Sequence, residues 1–217
     1  EVVPGVQVTK RTYTAPVNEQ PFFGFAAKSA EQKAEDEKFV SAMIGATGSR
    51  EKAFEEATKR AWIAIQGGKV KEAAVRFNQA FLVSPEQSSV YHGFAVIAQA
   101  RFSDLDAADE LFKIALKQPN PVKALKADYG RMLLIAKRPR DAQPVLEKIL
   151  DSCTHLFDVA SATVMLVGED GLLHLSANRS MSATSSLGSA SPAKSQMTVR
   201  SLGSSLKQRP LSMPQRC

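Results

Sequence analysis

Histidine and cysteine are the residues of this chain whose types suit metal binding or catalysis. His92, His155 and His174 lie far apart, and no carboxylate or thiol stands at a metal-ligand spacing from them. Cys153 and Cys217 form neither a metal-binding spacing nor a disulfide framework. These side chains therefore predict neither a bound metal nor a cofactor.

Three aspartates, Asp104, Asp106 and Asp109, have a spacing that suggests a cation-binding loop. The glycine and the distant glutamate of a calcium loop are missing, and acidic residues at a helix start already interact favourably with the helix dipole. No nucleophile lies in a recognised elbow, and Gly67-Gly68 lies in a turn between helices and does not follow a strand. We interpret the aspartates as capping residues and expect no enzymatic activity.

A signature of small and bulky residues returns along the chain and predicts the elements that would position any site. The intervals between its three copies are 35 and 34 residues, and a period in this range is typical of stacked helical hairpins. The copies are Ala73, Phe77, Ala80; Ala108, Phe112, Ala115; and Ala142, Leu146, Ile149. Each copy falls on the predicted second helix of a hairpin, and the alanines allow the two backbones to approach closely.

Two further segments precede the repeats. Residues 1–28 contain Pro4, Pro16 and Pro21 and predict an extended segment that ends in the aromatic cluster of residues 22–25. Because exposing these rings is costly, we expect the segment to lie along the helices. Residues 29–48 predict a leading, mostly solvated helix that begins with a capping box.

The signature resembles that of the tetratricopeptide repeat (TPR) family. Its Ala-x3-Phe-x2-Ala…Pro core is present as Ala73, Phe77, Ala80 and Pro85, and it returns in the second copy with Pro119 or Pro121 near the expected stop. The resemblance covers residues 49–153 and implies an all-α fold, a TPR-type helical-hairpin solenoid of three repeats. It departs from the family in the first helix, where Trp62 is displaced from the usual position.

This resemblance implies a non-enzymatic scaffold that binds a segment of another protein in a groove lined by the first helix of each hairpin. Family members that grip an acidic C-terminal peptide use matched Lys and Asn positions, of which only Lys123 fits here, whereas Trp62, Ile65 and Val96 indicate an apolar or amphipathic guest. The groove candidates are Glu55, Thr58, Trp62, Ile65, Gln66, Ser89, His92, Val96, Gln99, Lys123, Lys126 and Leu133.

Residues 154–186 allow two interpretations. Shifting the third signature by one period predicts a degenerate fourth helical repeat, which we favour because a lone two-stranded hairpin is marginal in water. The alternative is a β-hairpin around Gly168-Glu169-Asp170-Gly171, which would resemble part of a GAF-type sensory domain.

The end of the chain differs from the rest in charge. The formal net charge is +6, and from Ser176 onward the chain has six basic residues and no acidic one. Residues 187–217 are rich in Ser and predict a disordered tail. The tail offers an alternative function, binding of nucleic acid or an acidic surface, which we disfavour because it has no aromatic residue to stack on bases.

Two features of the sequence concern the cellular compartment of the protein. No apolar run is long enough to span a membrane. The chain begins Glu1-Val2-Val3-Pro4 without an initiator Met, which favours export to the periplasm or cell envelope over the cytoplasm.

Overall fold

The computed structural model describes residues 1–157, 161–167 and 173–180, and the predicted tail of residues 187–217 lies outside this range. The described chain is predominantly helical, as the sequence predicts. Its helices are α1 (Ala30–Thr47), α2 (Arg50–Gln66), α3 (Val70–Val83), α4 (Ser88–Phe102), α5 (Leu105–Ala115), α6 (Leu125–Ile135) and α7 (Pro139–Phe157). Two strands follow, β1 (Ser161–Val167) and β2 (Leu173–Ser180).

Local sequence signals account for where the helices begin. Ser29 and Gln32 form the predicted capping box of α1, with both reciprocal hydrogen bonds present. The hydroxyl of Ser49 accepts the N–H of Lys52 and so caps α2, and Asp104 caps α5. The interpretation as a capping residue is thereby confirmed for Asp104 and is wrong for Asp109, which lies within α5 and pairs with other side chains.

The six helices α2 to α7 form three consecutive pairs. Within each pair the two helices pack against each other, and successive pairs meet where α3 contacts α4 and α5 contacts α6. Phe77, Phe112 and Leu146 lie on α3, α5 and α7 and are completely or almost completely buried. The prediction that the signature lies on the second helix of each pair is confirmed for these residues.

Two glycines allow close approach between helices. A Cβ atom at Gly93 of α4 would lie 2.3 Å from the ring of Phe77, and one at Gly130 of α6 would lie 2.6 Å from Cδ2 of Leu146. Carbon atoms in contact normally stand about 3.5 to 4.0 Å apart. The bulky signature residues on α3 and α7 therefore occupy the space that a side chain at either glycine would need.

Residues 1–25, which we call the strap, lie against α3, α4 and α5. Val6 and Phe22 are buried in the same core as the helix pairs, which confirms the prediction that the segment packs along the helices. The prediction of extended chain is wrong for Val17–Glu19 and Pro21–Phe25, which form two short turns. Hydrogen bonds from the helices to the main chain of the strap replace the strand partner that an extended segment would need.

Helix α4 is enclosed over most of its surface. Ten of its residues are buried, among them the polar side chains of Ser88 and His92. Helices α3 and α5 cover two sides and the strap adds contacts with Tyr91 and Phe94. A helix that is apolar around its whole circumference indicates this environment, and the sequence of α4 carries that signal.

The favoured prediction for residues 154–186 is wrong in its described part. Strands β1 and β2 pair in antiparallel register, with an irregularity between Val164 and Met165, and α7 continues to Phe157. β-branched residues are frequent in residues 161–167, which favours a strand over a helix. Both strands contact α7, so the hairpin has packing that an isolated one would lack. No helix among the described residues has the length and apolar character needed to cross a membrane.

We expect Gly93→Ala to lower the free energy of unfolding by about 2 kcal/mol or more, because the new methyl group would overlap the buried ring of Phe77. Gly45→Ala is the matched control, since Gly45 lies in helix α1 with open space where a Cβ would stand. That change should raise the free energy of unfolding by up to about 1 kcal/mol through helix propensity. Urea unfolding followed by circular dichroism measures both values, and equal effects would contradict the close approach.

Candidate binding groove

A series of five rings connects the three helix pairs and organises the candidate groove. Trp62 of α2 packs edge-on against Phe77, with ring centroids 5.1 Å apart, and its other neighbour is His92 of α4 at 4.6 Å. His92 lies 5.6 Å from Phe112, which stacks on Tyr129 of α6 at 5.3 Å. We call these residues the ring series; it places the first helices α2, α4 and α6 in fixed positions relative to one another.

Trp62 is the ring of the series with the best access to a partner. Its side chain is half-buried, and its indole N–H donates to the hydroxyl of Ser89 on α4 at 3.2 Å. The hydrogen bond and the contact with Phe77 hold the ring in one orientation. A large, oriented and partly exposed aromatic side chain is typical of the residues that contribute most to protein binding.

His92 is completely buried and makes a polar contact that the sequence analysis missed. Its Nε2 lies 3.0 Å from Oδ2 of Asp128 on α6, whose side chain is 27% exposed. Nδ1 of His92 has no hydrogen-bond partner among the described residues. The separation of His92 and Asp128 by 36 residues, about one repeat period, is the signal that could have predicted their contact.

The twelve predicted groove residues divide into three groups by exposure. Three are exposed: Glu55, Gln66 and Lys123. Five are half-buried: Trp62, Ile65, Val96, Gln99 and Lys126. Four are buried: Thr58, Ser89, His92 and Leu133. The structure joins Trp62 directly to Ser89 and His92 and places the other candidates on the same three helices, except Lys123, which lies in the turn before α6.

Four of the predicted groove residues are buried, so the prediction that they lie at the surface of the groove is wrong for them. Leu133 and His92 have no exposed area and belong to the core. The hydroxyl of Thr58 donates to the carbonyl of Phe54 within its own helix, and Ser89 accepts from Trp62. The prediction placed them on the surface because it assumed one solvated side on each first helix, whereas these positions face neighbouring helices.

A charged cluster holds the second and third helix pairs together. Asp109 of α5 accepts hydrogen bonds from the hydroxyl of Tyr129 at 2.7 Å and from Lys113 at 2.8 Å. Arg138, just before α7, lies 3.1 Å from the same carboxylate. Burial opposes the charged form of Asp109, but these donors outweigh it and hold the pKa of the carboxyl below its ordinary value.

The same cluster affects Tyr129. Burial, followed by the hydrogen bond to Asp109, raises the pKa of this phenol well above its ordinary value, so its hydroxyl stays a donor. Asp109 of α5 is thus connected to α6 through Tyr129 and to the segment just before α7 through Arg138. It fixes the position of α6, which carries Lys126 and one side of the groove.

The accessible groove candidates combine apolar and charged side chains. Trp62, Ile65 and Val96 offer apolar surface, while Glu55 and Lys126 add one charge of each sign. Within the described part of the chain, no three His, Cys, Asp or Glu residues form a group that could hold a metal ion.

Comparison with known proteins returned no match: no family model fits the chain, and no curated protein or solved structure is detectably similar.

We expect the contribution of Asp109 to stability to depend on pH. Because the pKa of its carboxyl is depressed in the folded chain, the stabilisation is present above the ordinary value of about 3.8 and is lost as the pH falls through the lower folded value. Asp109→Asn should therefore cost about 1 to 3 kcal/mol near neutral pH, the usual range for hydrogen bonds to a charged group. The cost should shrink as the pH approaches about 2.

Urea unfolding across the pH range measures this dependence. Asp106→Asn is the matched control, because Asp106 is an exposed aspartate on the same helix. If the difference in the free energy of unfolding between wild type and Asp109→Asn does not change with pH, the loss of stability arises from packing and not from the charge of Asp109.

Proposed function

We propose that the chain is a non-enzymatic binding module of TPR type that holds an apolar or amphipathic segment of another protein in the groove along α2, α4 and α6. The repeat signature and the three stacked helix pairs support the proposal. The observation that carries it is Trp62, a half-buried indole fixed between Phe77 and Ser89 at the accessible side of the first helices. Such a ring gives a partner a preformed contact at little entropic cost.

The charges beside the apolar surface favour an amphipathic guest. Glu55 is exposed on α2, and Lys123 and Lys126 lie at the beginning of α6. A segment with apolar residues for Trp62 and Ile65 and an acidic residue towards α6 would complement these charges. The lysines would then contribute more to orientation and association rate than to affinity.

One observation favours a second candidate function. The antiparallel pairing of β1 and β2 fits a sensory protein in which the hairpin forms part of a ligand pocket, as in GAF-type domains. The groove carries the stronger argument, because it rests on several side-chain contacts. Loss of small-molecule binding on altering the β1–β2 hairpin, with partner binding unchanged, would favour the second candidate.

Two substitutions test the groove. Trp62→Ala removes the indole, and Lys126→Glu reverses the charge on the opposite helix of the groove. We expect each to reduce recovery of the partner about tenfold or more in a quantitative pull-down analysed by mass spectrometry, because central aromatic contacts of an interface typically contribute about 2 kcal/mol or more. The partner is defined beforehand as a protein that the wild-type chain recovers and that a control without the chain does not.

Ile63→Ala is the matched control. Ile63 is adjacent to Trp62 on α2 and is 57% exposed, so its removal tests general loss of apolar surface on the same helix. Circular dichroism of all variants must show unchanged helix content. Recovery that is unaffected by Trp62→Ala and Lys126→Glu would contradict binding in the groove.

A further inference from the structure

The strap is held by contacts of three chemical kinds, each of which suits recognition of a peptide. Arg101 of α4 pairs with the carboxylate of Glu19. Asn78 of α3, almost fully buried, donates to the carbonyls of Asn18 and Gln20 at 2.9 and 2.7 Å. Its side-chain oxygen accepts the N–H of residue 23 at 3.2 Å. Asn78 therefore contacts only main-chain atoms of the strap in these three bonds.

The aromatic part of the site receives a single ring. Phe22 is buried, with its centroid 4.6 Å from that of Phe94, 5.4 Å from Phe81 and 6.0 Å from Tyr91. The site thus binds a carboxylate and, three residues later, an aromatic side chain, and it also binds the main chain at residues 18, 20 and 23. We call this face of α3 and α4 the strap site.

The strap fits this site at a cost in backbone strain. Phe22, Phe23 and Phe25 have φ angles of 55°, 53° and 56°, and Gly24 between them has 61°. Only glycine adopts the left-handed region readily, and consecutive residues there are rare because Cβ approaches the following carbonyl oxygen. Three phenylalanines in this conformation persist only because the surrounding contacts hold them.

Unsatisfied polar groups collect at the same interface. Four buried side-chain polar atoms lack a hydrogen-bond partner among the described residues, and three of them belong to residues of the strap or of the helix beneath it: Nε of Arg11, the hydroxyl of Tyr91 and Nη1 of Arg101. The fourth is Nδ1 of His92. Buried groups of this kind are normally paired, so the strap leaves two donors on α4, the hydroxyl of Tyr91 and Nη1 of Arg101, that another ligand could use.

We propose that the strap site is a second peptide-binding site, that the strap occupies it as a displaceable internal ligand, and that its external ligand is a partner segment in which an acidic residue precedes an aromatic residue by three positions. Such a segment makes the contacts of Glu19 and Phe22. It avoids the left-handed turn, and its acceptors can pair with the hydroxyl of Tyr91. This site lies apart from Trp62 and does not depend on the proposed groove.

Tethering explains how a strained strap still fills the site in the absence of a partner. A segment joined to its site by a short connection competes at an effective concentration in the millimolar range. A free partner segment therefore replaces the strap only if its contacts with the site are stronger than those of the strap, or if the contacts of the strap are weakened. This requirement defines the experiment.

The probe is a fluorescently labelled peptide of residues 13–28, whose binding to the full chain is followed by anisotropy. Phe22→Ala in the chain weakens the internal strap, and we expect it to increase affinity for the peptide about tenfold or more relative to wild type. Phe23→Ala is the matched control, because Phe23 is half-buried and its ring contacts Lys28 and not the aromatic pocket. This control should bind the peptide no more than about threefold better than wild type.

A charge exchange identifies the site that the peptide occupies. Adding Arg101→Glu to the Phe22→Ala chain should abolish binding of the native peptide, and a peptide carrying Glu19→Arg should bind again. A peptide carrying Phe22→Ala should not bind either chain. The proposal is overturned if the chain keeps its helix content and its affinity for the peptide changes neither with the aromatic substitution nor with the charge exchange.

A second measurement uses the wild-type chain and holds even if Phe22→Ala fails to fold. Native-state hydrogen exchange compares the amide of Phe23, bonded to Asn78, with amides in the middle of α4. A strap that opens by itself exchanges through a local opening, so its amide should exchange about 100-fold faster or more than the helix amides. Equal opening equilibria would mean that the strap leaves only when the chain unfolds, and would overturn the proposal.

Discussion

The close contact between α4 and the ring of Phe77 is the constraint on which the rest of the structure depends. Gly93 presents no side chain, so the ring lies where a Cβ would otherwise stand. From there Phe77 supports Trp62, and Trp62 in turn packs against His92. Since packed interiors have little free volume, the spacing of α3 and α4 sets the positions of the later rings and of the groove residues.

Polar contacts then select one register among the arrangements that apolar packing would allow. Rings and aliphatic groups can slide relative to one another at small cost, whereas a buried polar atom loses free energy unless its partner is in place. The pairs His92–Asp128 and Tyr129–Asp109 connect successive helix pairs at 3.0 and 2.7 Å. They position α6 relative to α4 and α5, and so complete the side of the groove that carries Lys126.

The elements with a repeating pattern could be predicted from sequence, and those with an individual conformation could not. Phe77 and Phe112 recur at a fixed interval with alanines around them, so both the second helices and their buried side followed from composition and spacing. The left-handed turn at residues 22–25 has no such signal, because phenylalanine seldom adopts positive φ. Exposure was predicted for only some of the groove candidates: Trp62 is partly accessible, but Leu133 is enclosed by neighbours that a single-helix pattern does not include.

Helix α4 connects the two candidate sites physically. One side presents Ser89 and His92 to the ring series, and another presents Tyr91, Phe94 and Arg101 to the strap. The extensive burial of α4 restricts its movement, because a shift towards or away from the strap or the ring series would force an overlap or open a void. A ligand that altered the position of α4 from one side would have to disturb contacts on the other. A rigid α4 therefore favours two sites that are occupied independently, with coupling only where a partner is large enough to move the helix itself.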